Sequence, residues 1–190
     1  MIYVFLADGF EECEAIAPVD MLRRAGLNAI TVKVRGGEEF GYTEVVGAHG
    51  IEITADGCCN EIGLNSLENL QMIVLPGGKG GVDNLYKSEN IKKIIGYCVE
   101  NKIRIGAICA APSILARLGY LENIRATAYP SFRHYLTEGG AILEESEKIV
   151  TDGIFTTAVS AGVSVEFGLE LVKVLKGEEE SKKIAEMILL

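Results

Sequence analysis

Short apolar runs alternate with amphipathic stretches along most of the chain. Ile2–Ala7 (IYVFLA) has no polar alternation, which predicts a strand covered on both faces, as in a parallel sheet. Glu11–Ala25 follows as a helix, with Gly26 just past its end. Ala29–Val34 is the next strand, and Thr43–Val46 and Ile51–Thr54, separated by Gly47 and Gly50, predict an inserted β-hairpin. Gln71–Leu75 is a buried strand that stops at Pro76-Gly77-Gly78. Glu89–Glu100 carries Ile91, Ile94, Ile95, Cys98 and Val99 on one helical stripe, with Lys92 and Lys93 off it. Ile103–Ile108 is a strand, Ala110–Leu118 a helix closed by Gly119, and Arg125–Ala128 and Phe155–Val159 are further short strands. Val163, Phe167, Leu171 and Leu175 mark the buried stripe of a long helix ending at Gly177. In the last helix, Glu178–Leu189, Glu178 and Glu179 stand one turn before Lys182 and Lys183.

Such a series requires right-handed crossovers between parallel strands, with helices on both faces of the sheet. The expected fold is α/β: a flavodoxin-like three-layer sandwich with a mostly parallel sheet. No linker, low-complexity segment or internal repeat interrupts residues 1–190, so a single domain is expected.

Charge narrows the choice of partner. The chain has 18 Lys+Arg against 27 Asp+Glu, a net charge of −9, and no basic run. A nucleic-acid partner, which needs a basic face, is not expected. The apolar runs are strand-sized, far below the ~20 residues of a membrane-spanning helix, so no membrane association is expected either. MIYVFLADGF lacks a positive n-region and reads directly as the first strand, so no secretory signal is expected. The five cysteines are an odd number without a CxxC, and there are two histidines. Neither a disulfide framework nor a structural zinc site fits that pattern, and the expected setting is a reducing cytoplasm.

In sheets of this kind ligands bind outside the carboxyl ends of the strands. Three such ends are unusual: Asp8–Glu14 with its acids, Pro76-Gly77-Gly78, and Gly106–Ser113 (GAICAAPS). Cys109 falls where an apolar strand passes into a helix, with only small residues following, as a strained nucleophile elbow requires. Pro112 fits only the first helical turn. A thiol placed there faces the positive end of the helix, which is expected to favour thiolate and lower its pKa. The competing reading is a small buried hydrophobe. Glu14 precedes Pro18 by one turn, and Pro18 has no N–H to give its carbonyl. Its carboxyl then points either into the cleft or to solvent. Glu11 and Glu12 read as acids matched to the helix N-terminus.

At these residues the sequence resembles the ThiJ/PfpI family, in the branch of the parkinsonism-associated protein deglycase. The resemblance covers nearly the whole chain and is carried by EECEAIAPVDMLRRAG, VLPGG, AICAAP, TDGIFTT and Ser164-Val165-Glu166-Phe167. It implies a class I glutamine amidotransferase-like sandwich and a homodimer, with a reactive cysteine at Cys109 and Glu14 as its proton-sharing partner. It also implies an oxyanion pocket from the backbone N–H groups of Gly78 and Ala110. Activities attributed to the family include glutathione-independent glyoxalase, protein deglycase, chaperone and oxidative-stress sensing, with peptidase activity for PfpI. No cofactor and no metal is implied.

The chain departs from the pattern at three points. Ala110 stands where protease-like members have histidine, Tyr129 where the deglycase branch often has histidine, and Val159 where it has an arginine. Tyr129 and His134 are the accessory candidates near the site. His49 lies in the hairpin, where family members form their dimer contact, and reads as interface or surface. Arg23 and Arg24 read as dimer contacts or as cations at a helix C-terminus, and Cys13, Cys58, Cys59 and Cys98 as structural.

The leading functional expectation is a cysteine-dependent enzyme acting on 2-oxoaldehydes such as methylglyoxal, or on their glycated adducts. The alternatives are a non-enzymatic oxidative-stress sensor working through Cys109, and a cysteine peptidase or amidase using His134.

Overall fold

The computed structural model describes residues 1–34, 43–59, 62 and 67–190. Its main sheet is built from β1 (Ile2–Leu6), β2 (Ala29–Lys33), β5 (Gly57–Cys58), β6 (Met72–Leu75), β7 (Arg104–Ile108), β10 (Ile149–Asp152) and β11 (Phe155–Ala158). They lie in the order β10-β11-β7-β6-β1-β2-β5, all neighbours parallel except the antiparallel pair β10–β11. This is the expected flavodoxin-like α/β fold. The interior strand β1 is buried along its whole length, with Val4 between Thr31 and Val74, which is why its sequence shows no alternation.

Alternate side chains of these strands feed two separate cores. Phe5, Ile73, Leu75 and Ile105 pack under α2 (Lys79–Lys87), α3 (Glu89–Glu100) and α4 (Pro112–Arg117). Val4, Leu6, Met72 and Val74 pack on the other face under α1 (Glu12–Arg24) and α6 (Ser164–Lys176), joined by Ile184 of α7 (Glu178–Met187). Three layers result.

The hairpin forms as expected from β3 (Glu44–Val46) and β4 (Glu52–Thr54), paired with each other and not with the main sheet. Its turn is tied to the mouth of the main sheet: the Gly9 N–H donates to Val46 O at 2.8 Å and the Ala48 N–H to Phe10 O at 2.7 Å.

Several elements differ from expectation. Arg125–Ala128 yields only β8 (Arg125–Ala126), which pairs with β9 (Ile142–Leu143) away from the main sheet. Helix α2 was not expected, because the glycines of its first turn are poor helix formers. Gly81 is there for clearance, since a Cβ on it would lie 2.8 Å from Phe10 Cα. Another unexpected helix, α5 (Arg133–Glu138), follows a single 3-10 turn at Pro130–Phe132. On α7 Lys182 pairs with Glu178 at 3.6 Å, whereas Lys183 reaches Glu180 at 3.7 Å instead of Glu179. Among the described residues no helix is long and apolar enough to cross a membrane.

Candidate active site

Strand β7 delivers Cys109 to the carboxyl end of the sheet. Its N–H donates to Ala158 O at 2.8 Å, and its carbonyl accepts the Tyr129 N–H at 2.9 Å. Between these anchors Cys109 takes φ +64°, a left-handed conformation costing ~1–3 kcal/mol for a residue with a side chain. The elbow read from the sequence is therefore present. The helix after it starts later than expected, at Pro112, so Ala110 and Ala111 form the turn itself. Both are buried.

Glu14 arrives from the first turn of α1. The Glu11 side chain caps that turn, accepting the Glu14 N–H at 2.7 Å. The Glu14 side chain is 1% exposed and turns inward, so the cleft-facing alternative is the one realised. Its Oε2 accepts the Gly77 N–H at 2.9 Å, and the Cys109 thiol and the Ala161 N–H both act on its carboxyl to favour the charged form. Gly77 makes the meeting possible. A Cβ on it would collide with Glu14 Oε2 and lie 2.6 Å from Cys109 Cβ.

The backbone N–H groups of Gly78 and Ala110 both act on the Cys109 thiol in the direction that favours its ionised form. Gly78 holds φ +85°, and a Cβ there would strike Gly9 O, so this donor is available only from glycine. The family resemblance implies an oxyanion role for these N–H groups; in the resting chain they favour the ionised sulfur.

Burial, followed by the charge of Glu11, pushes the Glu14 carboxyl up to about 7 against the opposing bonds from the thiol, Gly77 and Ala161. Burial, followed by the Glu14 charge and its hydrogen bond, pushes the Cys109 thiol up to about 12 despite the Gly78 and Ala110 N–H groups. The expected simple lowering by the helix end is thus corrected. Two ionisable groups in one low-dielectric pocket cannot both be charged cheaply. The pair releases one proton near neutrality and holds the second between oxygen and sulfur.

The remaining candidates are placed as follows. Tyr129 touches the site through its backbone, and its side chain is 44% exposed. His134 lies exposed on α5 with its ring 4.0 Å from that of Tyr135, and the structure does not bring it to Cys109. Arg23 bonds Asp56 at 2.6 Å and Ala29 O at 3.0 Å, and Arg24 bonds Asp20 at 2.9 Å. Cys58, Cys59 and Cys98 are buried, as a structural reading requires, but Cys13 is exposed.

Glu12 lies in the first turn of α1, as its reading as a helix N-terminal acid expects, and has a second role. It is 6% exposed and accepts the His49 backbone N–H at 2.7 Å and its Nδ1 at 2.8 Å, fastening the hairpin to α1. Glu11, Glu12 and His49 bring ligand atoms within 4.8 Å of one another, and these are spent on the cap and the hairpin bond. Two contributors escaped sequence reasoning, the Ala161 N–H and the Ala158 carbonyl. Both act through backbone atoms, which leave no mark in residue type.

Known proteins share this fold. The model of the DJ-1/PfpI family matches residues 1–174. Protein DJ-1 homolog B of Arabidopsis thaliana is 32% identical over the whole chain, which spans 41% of that plant protein's length. Protein dj-1beta of Drosophila melanogaster is 30% identical over 98% of this chain and 95% of its own. The crystal structure of Drosophila melanogaster DJ-1beta superposes with a TM-score of 0.90, covering 100% of this chain and 97% of that one.

Proposed function

The chain belongs to the DJ-1/PfpI family, and from that premise we propose that it is a glyoxalase acting on 2-oxoaldehydes such as methylglyoxal, or on their early adducts with amines and thiols. The observation that carries the reading is the buried, proton-sharing contact of Glu14 with a thiol held at a left-handed elbow.

In the proposed reaction the Cys109 sulfur adds to the aldehyde carbon as the shared proton passes to Glu14. Charge moves from sulfur to the carbonyl oxygen, and the Gly78 and Ala110 N–H groups stabilise it there. Protonation of that oxygen gives a hemithioacetal. Glu14 then removes the proton from the former aldehyde carbon and returns one to the neighbouring ketone carbon, leaving a 2-hydroxyacyl thioester. Water hydrolyses the thioester, releasing the 2-hydroxy acid and restoring the thiol. The net change is substrate plus one water, with no external oxidant or reductant.

The proposal includes a homodimer in a reducing cytoplasm. Ile16 on α1 and Val46 and Ile51 at the hairpin are exposed apolar side chains on elements held together by Glu12 and His49, which supports that contact region. The test is lactate formation from methylglyoxal, expected for the native chain and absent in Cys109→Ala.

A second reading, oxidation sensing at the same sulfur, draws on the Gly78 and Ala110 N–H groups, which favour its ionised form. Mild peroxide followed by mass spectrometry separates it from indiscriminate oxidation, which would reach the more exposed Cys13 first. The peptidase reading loses its base, because Ala110 follows the cysteine and the His134 ring lies against Tyr135.

A further inference from the structure

Glu11, Gly77 and Glu14 close a ring of hydrogen bonds at the edge of the candidate site. The Glu11 N–H donates to Gly77 O at 3.0 Å, the Gly77 N–H to Glu14 Oε2 at 2.9 Å, and the Glu14 N–H to Glu11 Oε2 at 2.7 Å. The ring holds the Glu14 side chain against the loop at Gly77, where it meets Cys109. It also fixes a second carboxylate, that of the half-buried Glu11, on the same turn of α1.

A neutral side chain could close the same ring, since Asn, Ser and Thr cap helices as well as acids do. What Glu11 adds is negative charge, and after burial that charge is the next influence raising the Glu14 carboxyl. The other charged and titratable groups nearby are placed differently. Asp8 is bound to the Val46 N–H, Glu12 to His49, and Cys13 is exposed. Lys79 and Glu166, on the first turns of α2 and α6, are exposed as well. The turn at Ala161 acts on Glu14 through a backbone N–H, and the elbow through the thiol. Within the ring itself, Glu11 is the one charge beside the pair.

We propose that Glu11 is a positioning residue for the Glu14–Cys109 pair, whose hydrogen-bond ring fixes Glu14 against Gly77 and whose negative charge delays release of the pair's first proton. Its effect on turnover rests on the glyoxalase reading above; its effect on the pair does not.

The experiment follows the pH dependence of Cys109 alkylation by iodoacetamide in the full chain, read by mass spectrometry of the Cys109 peptide, alongside lactate formation from methylglyoxal. Glu11→Gln keeps an oxygen for the Glu14 N–H and loses the charge. Its alkylation midpoint is expected to fall by roughly 0.5 pH unit or more, as removal of a unit charge acting through a largely aqueous dielectric gives. Glu11→Asp keeps both charge and cap and is expected to stay near the native midpoint. High salt should lower the native midpoint by screening and leave that of Glu11→Gln in place. A cap with no electrostatic role would move the thermal transition and neither midpoint. An unmoved Glu11→Gln midpoint, or an equal fall in Glu11→Asp, overturns the proposal; lactate formed by the native chain then leaves the glyoxalase reading standing. If Glu11→Gln does not fold, the salt response of the native chain decides, and its absence overturns the proposal. A shifted midpoint in a chain that makes no lactate overturns the glyoxalase reading alone and supports Glu11 acting on the pair.

Discussion

Glu14 and Cys109 meet across the bare α-carbon of Gly77, and this glycine fixes how close acid and thiol come. Any side chain at that position would occupy the space of the Glu14 carboxylate and the Cys109 Cβ. Gly77→Ala is therefore expected to destabilise the fold by about 1–3 kcal/mol, the usual cost of overpacking. It should also separate the pair. Urea titration reads the first effect and lactate formation the second.

Replacing the acid while keeping its shape isolates its proton chemistry. Glu14→Gln keeps an acceptor for the Gly77 N–H, so the fold should survive, as circular dichroism would report. The loss of a general base should lower kcat by roughly 10²–10⁴-fold. Retention of more than a tenth of the native kcat would remove Glu14 from the mechanism.

The raised carboxyl of Glu14 also links stability to pH. A carboxyl that titrates at about 7 in the folded chain and near the ordinary 4.5 when unfolded holds its proton more tightly when folded. Its stabilising contribution is full below pH 4.5 and is lost as pH rises through about 7. The swing is on the order of 3 kcal/mol. Denaturation at pH 4.5 and pH 8 should show this decline in the native chain and a flatter response in Glu14→Gln. Activity should run the opposite way, rising with pH through about 7 as the pair releases its first proton.

Ala161 offers a test through the backbone. It opens a 3-10 turn, a place where proline is accommodated, and Ser160 before it is extended with ψ 174°, as a residue preceding proline prefers. Ala161→Pro deletes one N–H that favours the ionised Glu14 and changes little else. The pH midpoint of activity should move upward while the thermal transition stays close to native. An unmoved midpoint would show that this donor does not act on Glu14.

Assembly can be probed at the hairpin. Val46 and Ile16 are each more than two-fifths exposed, so Asp there costs the single chain little. Val46→Asp or Ile16→Asp should convert the proposed dimer to monomer in sedimentation velocity.

The sequence by itself determined the main-sheet strands β1, β2, β6, β7 and β11 and the helices α1, α3 and α6, because continuous apolar runs and stripes such as Ile91–Val99 report burial directly. It also determined Cys109 as the elbow residue, since only small residues tolerate that bend. Tertiary structure decided the rest. Gly80 and Gly81 carry no local preference for a helix, yet α2 includes them, because Phe10 passes too close to leave room for a side chain at Gly81. Glu12 reads from the sequence as a helix N-terminal acid, and only the packed hairpin adds its bond to His49. The ionisation of Cys109 was misread from the helix end alone, because burial and a carboxylate from a distant segment outweigh a short helix's N–H groups. Local patterning encodes which side chains avoid water. Distances between segments far apart in the chain set the charges, and those exist only once the layers have packed.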